Sequence, residues 1–191
     1  MIDRRKLFGG FGNSLFQYAY LWKLARSGSI PDIYLQNPAF FEPYGEEIRA
    51  MYRQGVTPID MVSLHVRRGD YLGNPFYVDL NETDYYDEAI AQFPPDTKFL
   101  VFCADRQEGS DDKSDLEWCK QRFQGDNFEF WEGEDEVADF NAQAGCKGHI
   151  IANSSFSWMA AYVGGGKTVA PSKWFADGRP GIPLMSDWIV I

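Results

Sequence analysis

From residue 59 onward, short apolar runs alternate with polar, helix-forming stretches, and this alternation constrains the fold more than any other feature. Met61–Val66, Lys98–Cys103, Asn127–Trp131, His149–Ala152 and Thr168–Ala170 are apolar and of strand length. Between them, Asn81–Ile90, Asp115–Phe123, Glu134–Ala144 and Phe156–Val163 have the spacing or the capping residues of helices. Strands joined through helices, not through hairpin turns, imply a parallel sheet built from βαβ crossovers. Asp187–Ile191 is a terminal strand expected to pack back on the body.

The first of these strands carries the strongest chemical signal. Met61-Val-Ser-Leu-His-Val66 runs straight into Arg67-Arg-Gly-Asp-Tyr71. Ligands of open α/β sheets bind beyond the carboxyl ends of the strands, where these two arginines would stand. A guanidinium grips phosphate oxygens with two donors at once and keeps its charge. The alternative is structural: one arginine pairs with Asp70 and the other is solvated.

Two further stretches suit an anion. Leu7-Phe-Gly-Gly-Phe-Gly-Asn13 reads as a glycine-rich turn into a helix over Ser14–Arg26, with Gly10, Gly12 and Asn13 as candidate contacts. Glycines there let backbone N–H groups approach a ligand, and a helix N-terminus favours negative charge. A tight strand-to-helix turn explains the same residues. Asn153, Ser154 and Ser155 open the helix over Phe156–Val163, where hydroxyls and free N–H groups either hold a phosphate or simply cap the helix.

The remaining stretches say less. Asp32–Gln36 reads as one strand and Glu46–Gln54 as one helix, in a proline-broken region leading to the central strand. Leu72–Leu80 and Ala104–Ser114 read as loops, and Pro171–Phe175 as a turn. Asp111-Asp-Lys-Ser-Asp115 is read as a solvated acidic loop. Its 191 residues suffice for one domain or two small lobes, and 45% hydrophobic with 16% aromatic residues argue for a packed core. A net charge of −10 argues against a polyanion binder, so a positive site here is local and suits a small anionic ligand. Three cysteines without metal-ligand spacing fit a reducing compartment. With no leader-like opening and no apolar run of spanning length, the expectation is a soluble, cytoplasmic protein.

Three blocks in fixed order carry a resemblance: Gly9-Gly-Phe-Gly-Asn-Ser-Leu-Phe-Gln-Tyr-Ala19, His65-Val-Arg-Arg-Gly-Asp-Tyr71, and Ile150-Ile-Ala-Asn-Ser-Ser-Phe-Ser-Trp-Met-Ala-Ala161. Together they resemble glycosyltransferase family 11, the α-1,2-fucosyltransferases, and Pro171–Trp174 resembles that family's closing turn. The resemblance implies an α/β, GT-B-like fold of two Rossmann-type lobes. Here the N-terminal, acceptor-side lobe (residues 1–58) is expected to be reduced, and residues 59–191 to bind the nucleotide sugar. It implies GDP-fucose as donor, a galactose-type glycan acceptor, an α-1,2 linkage, inversion at the anomeric carbon, and neither cofactor nor metal.

Carried over by residue, Arg67 resembles the arginine on the donor's β-phosphate, with Arg68 beside it. His65 resembles a histidine near the nucleotide, Ser154-Ser155 a second phosphate contact, and Asp105 an aspartate on the base. Asp70 is the first candidate for the base that takes the acceptor's proton, with Asp79 and Glu82 in reserve; its alternative role is to hold an arginine. Ser14, Met159 and Gly148-His149 depart from the family pattern. Phosphate-binding arginines do not read the sugar, so a different nucleotide-sugar donor is an alternative, as is a glycan-binding pseudoenzyme. Phe40, Phe41 and Tyr44 stand as either a sugar-stacking platform or a dimer contact.

Overall fold

The computed structural model describes residues 11–27 (with side chains as far as Tyr20), 36–103, 114–133 and 135–191. Strands β1 (Ile59–Val66), β2 (Phe99–Cys103), β3 (Phe128–Phe130), β4 (Cys146–Ile150), β5 (Lys167–Ala170) and β6 (Ile189–Val190) form one sheet. Its order is β3-β2-β1-β4-β5-β6 and all five pairings are parallel. The helices are α1 (Phe11–Ser27), α2 (Gly45–Tyr52), α3 (Tyr85–Ile90), α4 (Ser114–Arg122), α5 (Glu136–Gly145) and α6 (Ser155–Gly164). Among the described residues no helix is long and apolar enough to cross a membrane.

Side-chain alternation along β1 divides the interior. Val62, Leu64 and Val66 face a core shared with Tyr85, Tyr86 and Ala89 of α3 and Cys119 of α4. The intervening Ser63 and His65 are buried too, as a strand between two helical layers requires. Helix α6 has no polar face: every residue from Ser157 to Val163 is buried. A helix apolar all round must be covered on all sides. The sheet covers one side of α6, α5 lies alongside, and α1 and α2 close the outside through Phe16 and Ile48, with Phe41 from the turn before α2. Trp158 anchors this layer, fully buried against Phe16 and Trp188 at 4.9 and 5.2 Å. Large side chains so placed are worth about 3–5 kcal/mol each to stability.

Several local readings shift. Strand β4 begins at Cys146, three residues before the expected His149, because α5 passes into it without a loop. Gly145 makes that junction possible, since a Cβ there would lie 2.2 Å from the Thr57 carbonyl oxygen. The third helix starts at Tyr85, not Asn81; Asp79 instead caps a short 3-10 turn over Leu80–Glu82. Phe41 is fully buried against Phe16 and Tyr162, Tyr44 is half-buried against the same core, and Phe40 leans edge-on to Tyr20. Phe41 and Tyr44 are thus core packing, whereas Phe40 stays exposed. The expected strand Asp32–Gln36, apart from Gln36, and the loop 104–113 lie outside the described residues.

The strand order reverses between β1 and β4. From β1 the chain crosses to β2 on one side, and from β4 to β5 on the other. Connections leaving in opposite directions open a crevice beyond the carboxyl ends of these two strands. The segments entering it are Arg67–Tyr71 after β1 and Ile151–Ser155 after β4.

Candidate functional site

The twin arginines part company as β1 ends. Arg68 turns toward α4, where its Nε donates to Asp115 Oδ1 at 3.0 Å and its guanidinium lies 4.1 Å from the centre of the Trp118 ring. Both partners of that ion pair are largely buried, at 15% and 8% side-chain exposure. Asp115 is therefore not part of a solvated acidic loop, as the sequence suggested. It neutralises Arg68 and fixes the β1 end to α4. An arginine so enclosed has a structural task.

Arg67 stands in the crevice. Its Nη2 donates to Asp70 Oδ1 at 2.6 Å, and its guanidinium lies 5.0 Å from the Tyr71 ring centre. The Arg67 carbonyl accepts from the Asn81 side-chain amide at 3.1 Å. These contacts orient the guanidinium without using it up: the Arg67 Nε is buried and has no hydrogen-bond partner among the described residues. A buried donor left unpaired is unfavourable unless something occupies it. Asp70 is largely exposed, and so open a pair is worth little to stability, so its effect is on where the guanidinium points.

Helix N-termini complete the surroundings. Ser154 caps α6, its Oγ accepting from the Phe156 N–H at 3.3 Å, while Ser155 is half-buried at the first helical position. The Asn153 side-chain amide donates to the carbonyls of Val78 and Trp174 at 2.9 and 3.0 Å, and the Tyr71 hydroxyl donates to the Asn153 carbonyl at 3.0 Å. Asn153 is thus a clip joining three loops around the crevice, and Tyr71 ties the Arg67 turn to the start of α6.

The N-terminus of α1 meets that of α6 at backbone contact. A Cβ on Gly12 would lie 2.4 Å from the Phe156 nitrogen and 2.6 Å from the Ser155 carbonyl carbon. Gly12 and Asn13 are already in the first turn of α1, and Asn13 Oδ1 accepts from the Gln36 amide. Gly10 and Asp105 lie outside the described residues. Helices α2, α3, α4 and α5 each carry acidic residues in the first turn; α1 and α6 carry none. The two positive dipole ends left uncompensated by their own sequence are the two brought together here.

His65 lies beneath, at 5% exposure, its ring 6.1 Å from that of Phe156. Burial, reinforced by the charge of Arg67, pushes its pKa down to about 3, so it is neutral. It shapes the floor and adds no charge. Among the described residues no group of three or more His, Cys, Asp or Glu side chains is placed to hold a metal ion. Sequence reasoning missed Tyr71, Asn81, Asp115 and Trp118. Tyr71 lay inside a motif already singled out, whereas the others act through contacts 14 to about 50 residues away, for which the chain offers no local signal.

A crevice that offers a part-exposed guanidinium and two helix N-termini without acidic residues in their first turns suits an anion such as a diphosphate. Comparison with known proteins agrees with that chemistry. The sequence pattern of Glycosyl transferase family 11 matches residues 8–181. An alpha-1,2-colitosyltransferase of Escherichia coli is 30% identical over 187 residues, covering 83% of this chain and 61% of its own length. The O-antigen biosynthesis glycosyltransferase WbnK of Escherichia coli is 30% identical over 140 residues, 66% of this chain and 43% of its own. Human galactoside alpha-(1,2)-fucosyltransferase 1 is 27% identical over 154 residues, 73% of this chain and 40% of its own. The chain thus spans less than two thirds of the length of these relatives, and no solved structure gives a significant match. With the family pattern extending over nearly all of its length and the motif residues gathered at one crevice, the chain belongs to glycosyltransferase family 11.

Proposed function

We propose that the chain transfers fucose from GDP-fucose to a galactose-type acceptor in α-1,2 linkage, with inversion and without an obligatory metal. The observation that carries this reading is the convergence of the part-exposed Arg67 guanidinium with the two acid-free helix N-termini, α1 and α6, at the β1–β4 crevice. The donor's diphosphate lies there. The acceptor 2-hydroxyl attacks the anomeric carbon as the bond from that carbon to the β-phosphate oxygen breaks, and GDP leaves. Negative charge grows on the departing phosphate, where a fixed guanidinium and helix amides stabilise it, and losing one such contact typically costs about 10²–10³ in rate. Asp70, which orients Arg67 across 2.6 Å, is the carboxylate proposed to take the hydroxyl proton.

In this reading residues 59–191 form the nucleotide-sugar lobe of a GT-B architecture. Residues 1–58 are a reduced acceptor-side part whose first helix leans onto the donor crevice. A different donor is the second reading. One relative acts as an alpha-1,2-colitosyltransferase, and nothing in a phosphate grip distinguishes colitose from fucose.

Titration calorimetry with GDP, GDP-fucose and GDP-mannose, with chelator present, tests both readings. GDP binding that survives the chelator and is lost in Arg67→Ala is expected, with GDP-fucose preferred over GDP-mannose. Equal binding of the two sugars would favour the second reading. No binding of GDP would overturn the transferase proposal.

A further inference from the structure

The loop after Arg67 is tied down more tightly than its exposure requires. The Asn74 side chain donates to the Asp70 carbonyl at 3.3 Å and accepts from the Phe76 N–H at 3.1 Å. The Val78 N–H donates to the Trp174 carbonyl at 3.1 Å, and the Ala176 N–H to the Phe76 carbonyl at 3.0 Å. Side chains stack in the same direction. Beyond Arg67 come Tyr71, Tyr77 parallel to it at 4.0 Å, Phe175 at 5.4 Å, and Arg179 over Phe175 at 4.2 Å. The loop is a hydrogen-bonded, ring-stacked wall that begins beside Arg67.

On this wall stand two large, exposed apolar side chains: Phe76, 63% exposed, and Leu72, 43% exposed. Single exposed hydrophobics are ordinary. Of the five among the described residues, however, Phe76 is the most exposed, and two lie on this one loop. Fixing an aromatic ring in solvent on a preorganised loop reduces the ordering that a ligand must supply on binding. The carboxylate of Asp70, on the same loop, is open to take hydroxyl hydrogen bonds.

We propose that Phe76 is the stacking platform for the acceptor sugar: the apolar C–H face of a galactose-type ring lies on the Phe76 ring, with Leu72 alongside. The inference deepens the transferase reading by naming the acceptor surface of the same crevice, and it rests on that reading for the word acceptor alone. Sugar recognition by an aromatic face holds whether or not chemistry follows.

Lactose, a galactose-terminated disaccharide, is titrated into the GDP-loaded chain while backbone amide resonances are followed. The expected result is lactose-dependent shifts over Leu72–Tyr77, an affinity about tenfold weaker in Phe76→Ala, and recovery in Phe76→Tyr. GDP affinity should stay within about twofold in both variants, which shows them to be folded. Lactose shifts elsewhere only, or an affinity unchanged in Phe76→Ala, would overturn the platform. So would a concentration-dependent dimer that Phe76→Ala disperses, since a second copy would then be the occupant. Lactose bound at Phe76 by a protein that ignores GDP would keep the platform and sink the transferase reading, so the two failures are distinguishable.

Discussion

Arg67 and Arg68 are sequence neighbours with the same side chain, yet one is enclosed by Asp115 and Trp118 and the other keeps a buried donor free. Residue type showed that a guanidinium fork would stand at the end of this strand. Which of the two would be enclosed depended on α4, some 47 positions along the chain, so it was not legible locally. The buried histidines carry a prediction at this scale. Burial, with Arg67 adding to it, holds His65 down to about 3, and burial holds His149 down to about 4. As pH falls below the ordinary histidine value of 6.5, the unfolded chain takes up protons that the folded chain refuses. Stability is therefore full above that value and falls as pH drops toward 4, by about 1.4 kcal/mol per pH unit per histidine. Urea unfolding is expected to show a lower midpoint at pH 5.0 than at pH 7.5. His149→Asn, which keeps a polar atom for the Ser63 hydroxyl now 2.8 Å from its Nδ1, should reduce that difference by roughly half. Equal midpoints for the unsubstituted protein would contradict the assignment of both rings as neutral.

Among the elements, the junction of α1 and α6 is the most sensitive. Gly12 sits in the first turn of α1, and in an isolated helix alanine would be better than glycine by about 1 kcal/mol. Here the added methyl would press on the Phe156 and Ser155 backbone at 2.4–2.6 Å, atoms that cannot swing aside. Gly12→Ala is expected to lower stability by about 1–3 kcal/mol and to weaken GDP binding at least tenfold, measured by thermal unfolding and calorimetry. A more stable variant with unchanged affinity would show that the two helix starts do not meet as described. The glycine pattern was visible in the sequence, though as a turn; its purpose as the contact point of two helices separated by some 140 residues was not. Element existence was largely legible because most strands and helices announce themselves by apolar spacing or caps. Boundaries slipped where tertiary contact replaced local signal, as at Gly145, where α5 becomes β4 without a loop.

At the scale of the molecule, alternation of strand and helix foretold a parallel sheet, but not the order of its strands. Order follows from which crossover lies on which face. Here α3 and α4 cover one face of the sheet while α5 and α6 cover the other. That arrangement puts β1 beside β4 and opens the crevice between them. A separate cavity of about 370 Å³ lies at the other end of α6, lined by Glu42, Arg49, Tyr162 and Trp188 among others. A ten-residue helix is roughly 15 Å long, so the two places are resolvable. A backbone amide NMR map of the chain titrated with GDP tests the donor crevice most directly. The largest shifts are expected at Phe11–Asn13, Arg67–Gly69 and Ser154–Phe156, the three segments that converge on the crevice. Shifts confined to Arg49, Tyr162, Gly165 and Trp188, at the far end of α6, would instead place GDP in the other cavity and overturn the crevice as its site.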